Sequence, residues 1–439
     1  MYDPLRAEDV LVQRLRTLHP SLIDLSTDRI LRLLEAMGRP QAHLPPVIHI
    51  AGTNGKGSTT AFVRAIAEAA GLKVHVLTSP HLVRFVERVR VAGTLLTEAR
   101  LEQLIEQAEV ANADQPISFF EMTTAIALKA FTDTPADLCL IEVGLGGRFD
   151  GSNVFDHPAV TVITPVDYDH LELLGPDLSK IAWEKAGIMR PGVPCVSARQ
   201  LDEARDVIEA EAQKLGAPLT TMGQEIDAFE EHGRLRVQLE ERLLDLPAPS
   251  LFGPHQFDNA GLAVAAILKL GDPRIDEAAI AKGVAGAVWP ARFQRLTAGP
   301  LGAKAAARGA DLWIDGGHNP HAGRALAEAV GRLAAKDGRP VSLVVGMFAR
   351  KDAQGFFAPF APMNPALVTT TFDSPNAATA EDLAEAAEAV GLTPRTAPNL
   401  TEAVDLALAT EGPPPHLILC GGLHFAGEAL ALSPETWPR

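Results

Sequence analysis

The sequence predicts an α/β chain: a larger N-terminal domain on a mostly parallel sheet, then a smaller C-terminal α/β domain. Three observations carry this expectation. Apolar runs of strand length alternate with stretches of helical spacing along most of the chain. A glycine-rich loop, HIAGTNGKGSTTAF at 49–62, joins one such run to one such helix. Beyond a stretch of Pro, Gly and small residues at 287–311, where a domain boundary is expected, a second alternating series begins.

The elements follow in order. Residues 47–50 form a short strand that leads into the glycine loop. From Ser58 the spacing of Phe62, Ile66 and Ala69/Ala70 predicts a helix that Gly71 stops. KVHVLT at 73–78 is the next strand, and 101–110 and 119–131 are helices. DLCLIEV at 137–143 and AVTVIT at 159–164 read as buried strands. Residues 226–247 alternate apolar and polar around His-Gly, the pattern of a hairpin or small antiparallel patch. A helix is expected at 255–271. The second series holds strands at 312–314, 341–347, 366–372 and 416–420, with helices from about 321 and near 381–390.

A chain of 439 residues with 47% hydrophobic and 21% charged residues has ordinary globular composition and needs no staples. Its three cysteines, Cys139, Cys195 and Cys420, lie far apart, which excludes a C-x-x-C pair and argues for buried hydrophobes. A formal charge of −16 disfavours nonspecific nucleic-acid and anionic-membrane binding. The charged N-terminus lacks a signal-peptide core, and no apolar run reaches membrane-span length, so a soluble, cytoplasmic protein is expected.

The glycine loop misses the common phosphate-loop spelling, because Gly57 follows Lys56 and the hydroxyl comes one place late, at Ser58. Its strand–loop–helix setting still suits a phosphate: glycines admit close approach, the helix N-terminus favours an anion, and Lys56 reaches the β/γ oxygens. TSPHL at 78–82 follows the next strand; Ser79 is a neutral oxygen ligand or a helix cap, and His81 a polar rim. Glu142 closes the strand DLCLIE, where it suits a hard cation or pairs with an arginine such as Arg148. Gly144, Gly146 and Gly147 read as a flexible floor for a substrate, and Asp150 as a substrate contact or a turn cap. His170 again sits at a strand end, and Lys185 in WEKAGIM reads alone as a solvated helix lysine.

Taken in order, HIAGTNGKGST, TSPHL, SFFE, EVGLGGRFDGSN, DH-x-x-x-LG, EKAGI, ARFQ and DGGHNP resemble the folylpolyglutamate synthase/dihydrofolate synthase family of the Mur ligase superfamily, from about residue 17 to the end. In that family the late hydroxyl is the normal spelling. The resemblance implies a P-loop-type N-terminal domain over 1–295, binding ATP, and a Rossmann-like glutamate-ligase domain over 296–439. It implies ATP on Gly55, Lys56, Gly57 and Ser58, with Asn259, Arg292, Asp315 and His318 as further nucleotide contacts. Arg292 is expected in the linker, where domain closure brings it to the γ-phosphate. Mg²⁺ is implied on Ser79, Glu142 and His170, and a second on a carbamylated Lys185. Phe149, Asp150 and Gly151 match the pterin-side segment, and Asp24 lies in IDLS, which resembles the segment that helps bind dihydropteroate.

The implied reaction is ATP-dependent joining of L-glutamate to dihydropteroate and to folates through an acyl phosphate, by a monomer. Lys56, Lys185, His170 and Arg292 are its catalytic candidates. The alternatives are a monofunctional version or a related Mur-type acid–amino-acid ligase. From other classes come a P-loop kinase or NTPase, which would not need glutamate to release phosphate, and a nucleotide-binding module without turnover. Some spellings depart from the pattern: GGRFDGSN for GGRLDATN, Gly422 where a serine is usual, no glycine before the Arg of ARFQ, and TDR after IDLS.

Overall fold

The run after Pro46 becomes strand β1 (Val47–Ala51), buried at every residue. In chain order follow β2 (Val74–Leu77), β3 (Val89–Val91), β4 (Thr94–Leu95), β5 (Leu138–Glu142), β6 (Val160–Ile163), β7 (Cys195–Ser197) and β8 (Leu219–Thr221). They form one sheet in the order β4-β3-β2-β5-β1-β6-β7-β8. From β2 through to β8 every pairing is parallel. Only β3 and β4, a short pair that alternation did not reveal, run antiparallel. Burial on both faces explains why the central strands read as continuous apolar runs.

The structure, a computed structural model, describes Gln13, Leu15 and residues 26–239, 242–409 and 412–439. Asp24 lies outside the described residues. The described chain forms two units: residues up to Ser250 with Phe257–Val288, and Leu251–Gln256 with Trp289–Arg439.

In the larger unit, helix α1 (Lys56–Ala69) starts two residues earlier than its apolar spacing shows, at the loop lysine itself. Helix α2 (Phe119–Thr132) opens with a capping box in which Ser118 accepts from the Glu121 amide and Glu121 from the Ser118 amide. Helix α3 (Leu178–Ala186) carries Lys185, and helix α4 (His255–Leu270) carries Asn259. Helix α5 (Glu277–Gly286) packs on α1, where a Cβ on Gly283 would stand 2.4 Å from the Ile66 backbone. The stretch at 226–247 is a three-stranded antiparallel ribbon, β9 (Ile226–Glu231), β10 (Arg234–Leu239) and β11 (Arg242–Leu246). Its first turn uses His232 and Gly233 at positive φ.

The smaller unit holds β12 (Gln294–Arg295), β13 (Asp311–Ile314), β14 (Val341–Val345), β15 (Ala366–Thr370), β16 (Pro394–Ala397) and β17 (His416–Cys420). Their order is β12-β13-β17-β14-β15-β16, parallel except for β12. Helix α6 (Pro320–Asp337) follows β13 and is capped by Asn319, which accepts from the Ala322 amide. Phe252 stacks on Phe293 at 5.1 Å, and Phe293 on Trp313 at 4.9 Å, which holds residues 251–256 to this unit. The Pro- and Gly-containing stretch expected as linker contains a helix, Gly299–Ala307, with Pro300 in its first turn where no amide is needed.

All three cysteines are buried and free. Among the described residues no helix is long and apolar enough to cross a membrane.

The α1–α5 contact is tight enough to test. Gly283→Val is expected to lower stability by about 2 kcal/mol through overpacking against Ile66, read as a lower urea midpoint. An unchanged midpoint would mean that α5 moves freely off α1.

Candidate active site

In the larger unit the sheet order β2-β5-β1-β6 sets four strand ends side by side. The glycine loop leaves β1, Ser79 follows β2, Glu142 ends β5, and Asp167–His170 follow β6. This is the carboxyl edge at which α/β sheets gather ligands.

The loop is pinned before anything binds. Thr53 and Asn54 donate their amides to the Pro165 carbonyl at 2.9 and 3.3 Å. The Thr53 hydroxyl donates to the Asp167 carbonyl at 2.9 Å. Gly52, at φ 146°, lies where a Cβ would stand 1.8 Å from the Thr164 hydroxyl oxygen. Gly55, at φ 86°, would drive a Cβ to 2.5 Å from Asn259 Oδ1. Only glycine fits either place. Asn259 is therefore brought against the loop, while Gly57 and Ser58 are buried in the first turn of α1.

Two lysines meet on one acceptor. Lys56 Nζ donates to the Gly52 carbonyl at 3.0 Å and to the Thr53 carbonyl at 3.2 Å. Lys185 Nζ, arriving from α3, donates to the same Gly52 carbonyl at 3.0 Å. Lys185 is only 4% exposed, so it is not the solvated helix lysine that its sequence setting offers. Burial first, and then the Lys56 charge, brings its amine down from the ordinary 10.5 to about 7, against the pull of Asp169, Glu184 and Asp150.

Glu142 is 5% exposed, and the Ser79 amide donates to its Oε2 at 3.3 Å. Pairing of Glu142 with Arg148 is overturned: Arg148 donates to Glu211 at 2.6 Å and lies over the Trp183 ring at 3.8 Å. His170 occupies a left-handed conformation, φ 52°, at the head of the turn Leu171–Leu174. The TSPHL loop is organised by Glu87, whose carboxylate accepts from the amides of Leu82, Val83 and Arg84. Arg88 donates to His81 Nδ1 at 2.8 Å.

The 144–151 loop corrects one expectation. Its glycines are not an open floor, because protein fills the space beside them. A Cβ on Gly144 would stand 2.6 Å from the Phe120 ring, and one on Gly147 2.6 Å from the Glu184 carbonyl. Gly151 is buried, with Glu121 and Phe120 at 3.1 and 3.4 Å from its Cβ position. Asp150 realises the turn-capping alternative: its carboxylate accepts from the Leu145 amide at 2.8 Å, the Ser152 amide at 2.9 Å and the Ser152 hydroxyl at 2.5 Å. Phe149 stays exposed beside Trp183 at 6.3 Å, with Tyr168 and Leu171 also exposed nearby in sequence to His170.

Phe120, the second Phe of SFFE, lies between Gly144 and Gly151, a contact that no local pattern of the sequence shows. Arg29, equally silent in the sequence, donates to Glu121 at 3.1 Å.

In the smaller unit Asp315 accepts from the Phe293 amide at 2.9 Å and the Gly317 amide at 2.7 Å. Ala291 and Phe293, flanking Arg292, both have positive φ, so Arg292 lies in a constrained turn of this unit and not in a linker. His318 Nδ1 is 3.0 Å from the Gly316 carbonyl. Burial, opposed by Asp315 and reinforced by Arg292, lowers His255 to about 4.

A glycine cradle between strand and helix, with a strand-end carboxylate on the neighbouring strand, is an arrangement suited to a nucleotide-dependent enzyme, and the chain matches the family models of the Mur ligases. The Mur ligase middle domain spans residues 50–267, and the Mur ligase glutamate ligase domain spans 293–423. The dihydrofolate synthase/folylpolyglutamate synthase of Escherichia coli is 35% identical over 421 residues, 95% of this chain and 93% of that protein. The solved structure of E. coli FolC in complex with DHPP and ADP superposes with a TM-score of 0.85 at 33% identity, covering 97% of each chain. The bifunctional folylpolyglutamate synthase/dihydrofolate synthase of Yersinia pestis, complexed with AMPPNP and Mn ion, gives 0.84 at 33% identity over 98% of each chain. The chain belongs to the dihydrofolate synthase/folylpolyglutamate synthase family.

The buried amine makes a stability prediction. Between about pH 7 and 10.5 the unfolded chain holds a proton on Lys185 that the folded chain does not. Stability therefore rises with pH across that window. Lys185→Met is expected to flatten the rise and to gain stability near pH 7, by an amount on the order of a few kcal/mol. Melting curves of both proteins in CO₂-free buffer would show it, and parallel pH profiles would contradict it.

Proposed function

We propose that the chain joins L-glutamate to dihydropteroate, and to (tetrahydro)folate, with cleavage of ATP to ADP and phosphate, as a monomer in the cytoplasm. The meeting of Lys56 and Lys185 on the Gly52 carbonyl, beside the strand ends of Ser79 and Glu142, carries this reading.

The residues fit a nucleotide phosphate and a hard cation. Gly55, with no side chain, lets the loop lie against Asn259, and the carboxylate and hydroxyl oxygens of Glu142 and Ser79 suit a hard cation such as Mg²⁺, for which the His170 imidazole is an unusual ligand. Mg²⁺ would be held by Ser79, Glu142 and His170, and, when bound, would neutralise phosphate oxygens. ATP would lie on Gly55, Lys56, Gly57 and Ser58, with Asn259, and Arg292, Asp315 and His318 as contacts from the second unit. Phe149 would meet the pterin side of the acid, with Asp24, on the loop that Asp150 caps and Gly151 packs against Phe120.

A carboxylate is a poor electrophile towards an amine. Attack of the acid's carboxylate on the γ-phosphorus gives an acyl phosphate and ADP. The glutamate amine then displaces phosphate and forms the amide. An anion approaching an anion is opposed electrostatically; Lys56 offsets that by holding positive charge at the phosphate oxygens. Lys185, titrating near 7, is neutral in a useful fraction at working pH, as nucleophilic addition to CO₂ requires. The resulting carbamate replaces a cation by an anion able to hold a second Mg²⁺.

ADP release with ATP, Mg²⁺ and L-glutamate is expected on adding either dihydropteroate or tetrahydrofolate. Turnover with one acid alone would name a monofunctional enzyme. Release without glutamate would make the protein an NTPase, and silence with both acids would refute the folate reading.

Lys185→Ala is expected to lose activity by about a hundredfold or more and to regain part of it with added short carboxylates. An active variant indifferent to carboxylates would remove the carbamate from the mechanism.

A further inference from the structure

His49 lies in the middle of β1 and is fully buried, an unusual place for an imidazole. Its Nε2 is 3.2 Å from the hydroxyl oxygen of Ser152, also fully buried. That hydroxyl donates to Asp150 Oδ1 at 2.5 Å, and Oδ2 accepts from the Leu145 amide. Phe155 closes the ring edge-on at 5.6 Å.

Counting protons fixes the direction of this chain. Asp150 already accepts backbone N–H bonds on both oxygens, so the single Ser152 proton goes to it. Ser152 Oγ is then an acceptor towards His49, and His49 must carry its proton on Nε2. The other ring nitrogen, Nδ1, is buried without a hydrogen-bond partner among the described residues. Burial keeps the ring neutral, lowering it to about 3. A valine or threonine would fill this strand position without an orphaned nitrogen, so packing does not account for the imidazole.

We propose that His49 and Ser152 are positioning residues for the acid substrate. The chain His49 Nε2–H to Ser152 Oγ–H to Asp150 ties the 144–152 loop to the central strand. It thereby fixes the loop face that carries Phe149 and abuts Phe120. The proposal rests on the reading that this loop takes the pterin end of the acid.

Ser152→Ala is expected to raise KM for dihydropteroate about five- to tenfold, with kcat and the KM for ATP within twofold. Ser152→Thr keeps the hydroxyl and is expected to behave as wild type. An unchanged KM in Ser152→Ala, or equal impairment in Ser152→Thr, would overturn the relay. A readout independent of activity uses selectively ¹⁵N-histidine-labelled full-length protein. The resonance lost in His49→Val should show the Nε2–H tautomer in wild type; an Nδ1–H tautomer would overturn the relay even if Ser152→Ala fails to fold. Phe149→Ala separates the two readings. If it leaves KM for dihydropteroate unchanged while the tautomer is as expected, the substrate reading of the loop fails and the relay as a loop tie survives.

Discussion

One peptide carbonyl organises the larger unit's site. Gly52 offers its oxygen to Lys56 from its own loop and to Lys185 from α3. It can do so because the loop is folded back on the end of β6, where Thr164 leaves no room for a side chain at position 52. Two ammonium groups on one oxygen repel, and burial adds to the cost of the deeper one. The result is that the deeper amine, Lys185, is brought down to about 7 by burial first and by the Lys56 charge second.

The sheet's topology makes the rest of the site converge. β1 lies between β5 and β6, with β2 beyond β5, although chain order runs β1, β2, β5, β6. Crossovers over the sheet faces therefore interleave loops that are nearly a hundred residues apart. Glu142 and Ser79 come within hydrogen-bond distance because β2 and β5 are parallel neighbours with Leu77 opposite Ile141.

Much of this was legible in the sequence, and the unread part has a common cause. The strands on the carboxyl edge and the glycine loop declare themselves through local pattern, and the order of the motifs pointed to the family later shown by the comparisons. What stayed hidden depends on contacts across the sheet. Lys185 looks like a surface lysine until α3 is laid against Gly52. The glycines at 144 and 147 look like an open floor until Phe120 and the Glu184 carbonyl occupy the space. Arg292 looks like a linker residue until the Phe252–Phe293–Trp313 stack draws its neighbours into the second unit. His49 gave no signal at all, because a single histidine in an apolar strand has no periodicity to break.

The net charge sharpens the electrostatic argument. A chain of −16 must admit a nucleotide, an acid and glutamate, all anions. Long-range attraction does not bring them in, and at physiological salt the distant carboxylates are screened beyond about 8 Å. Selectivity for anions therefore has to be local. The local groups that the larger unit offers are a helix N-terminus and the Lys56 side chain held at one loop. Two carboxylates at the same edge accept protein donors: Glu142 from the Ser79 amide, Asp150 from Leu145 and Ser152. These bonds order the strand ends and the 144–152 loop, while Asp169, Glu184 and Asp150 still pull on the Lys185 amine, so the local balance of charge is set within a few residues of the Gly52 carbonyl.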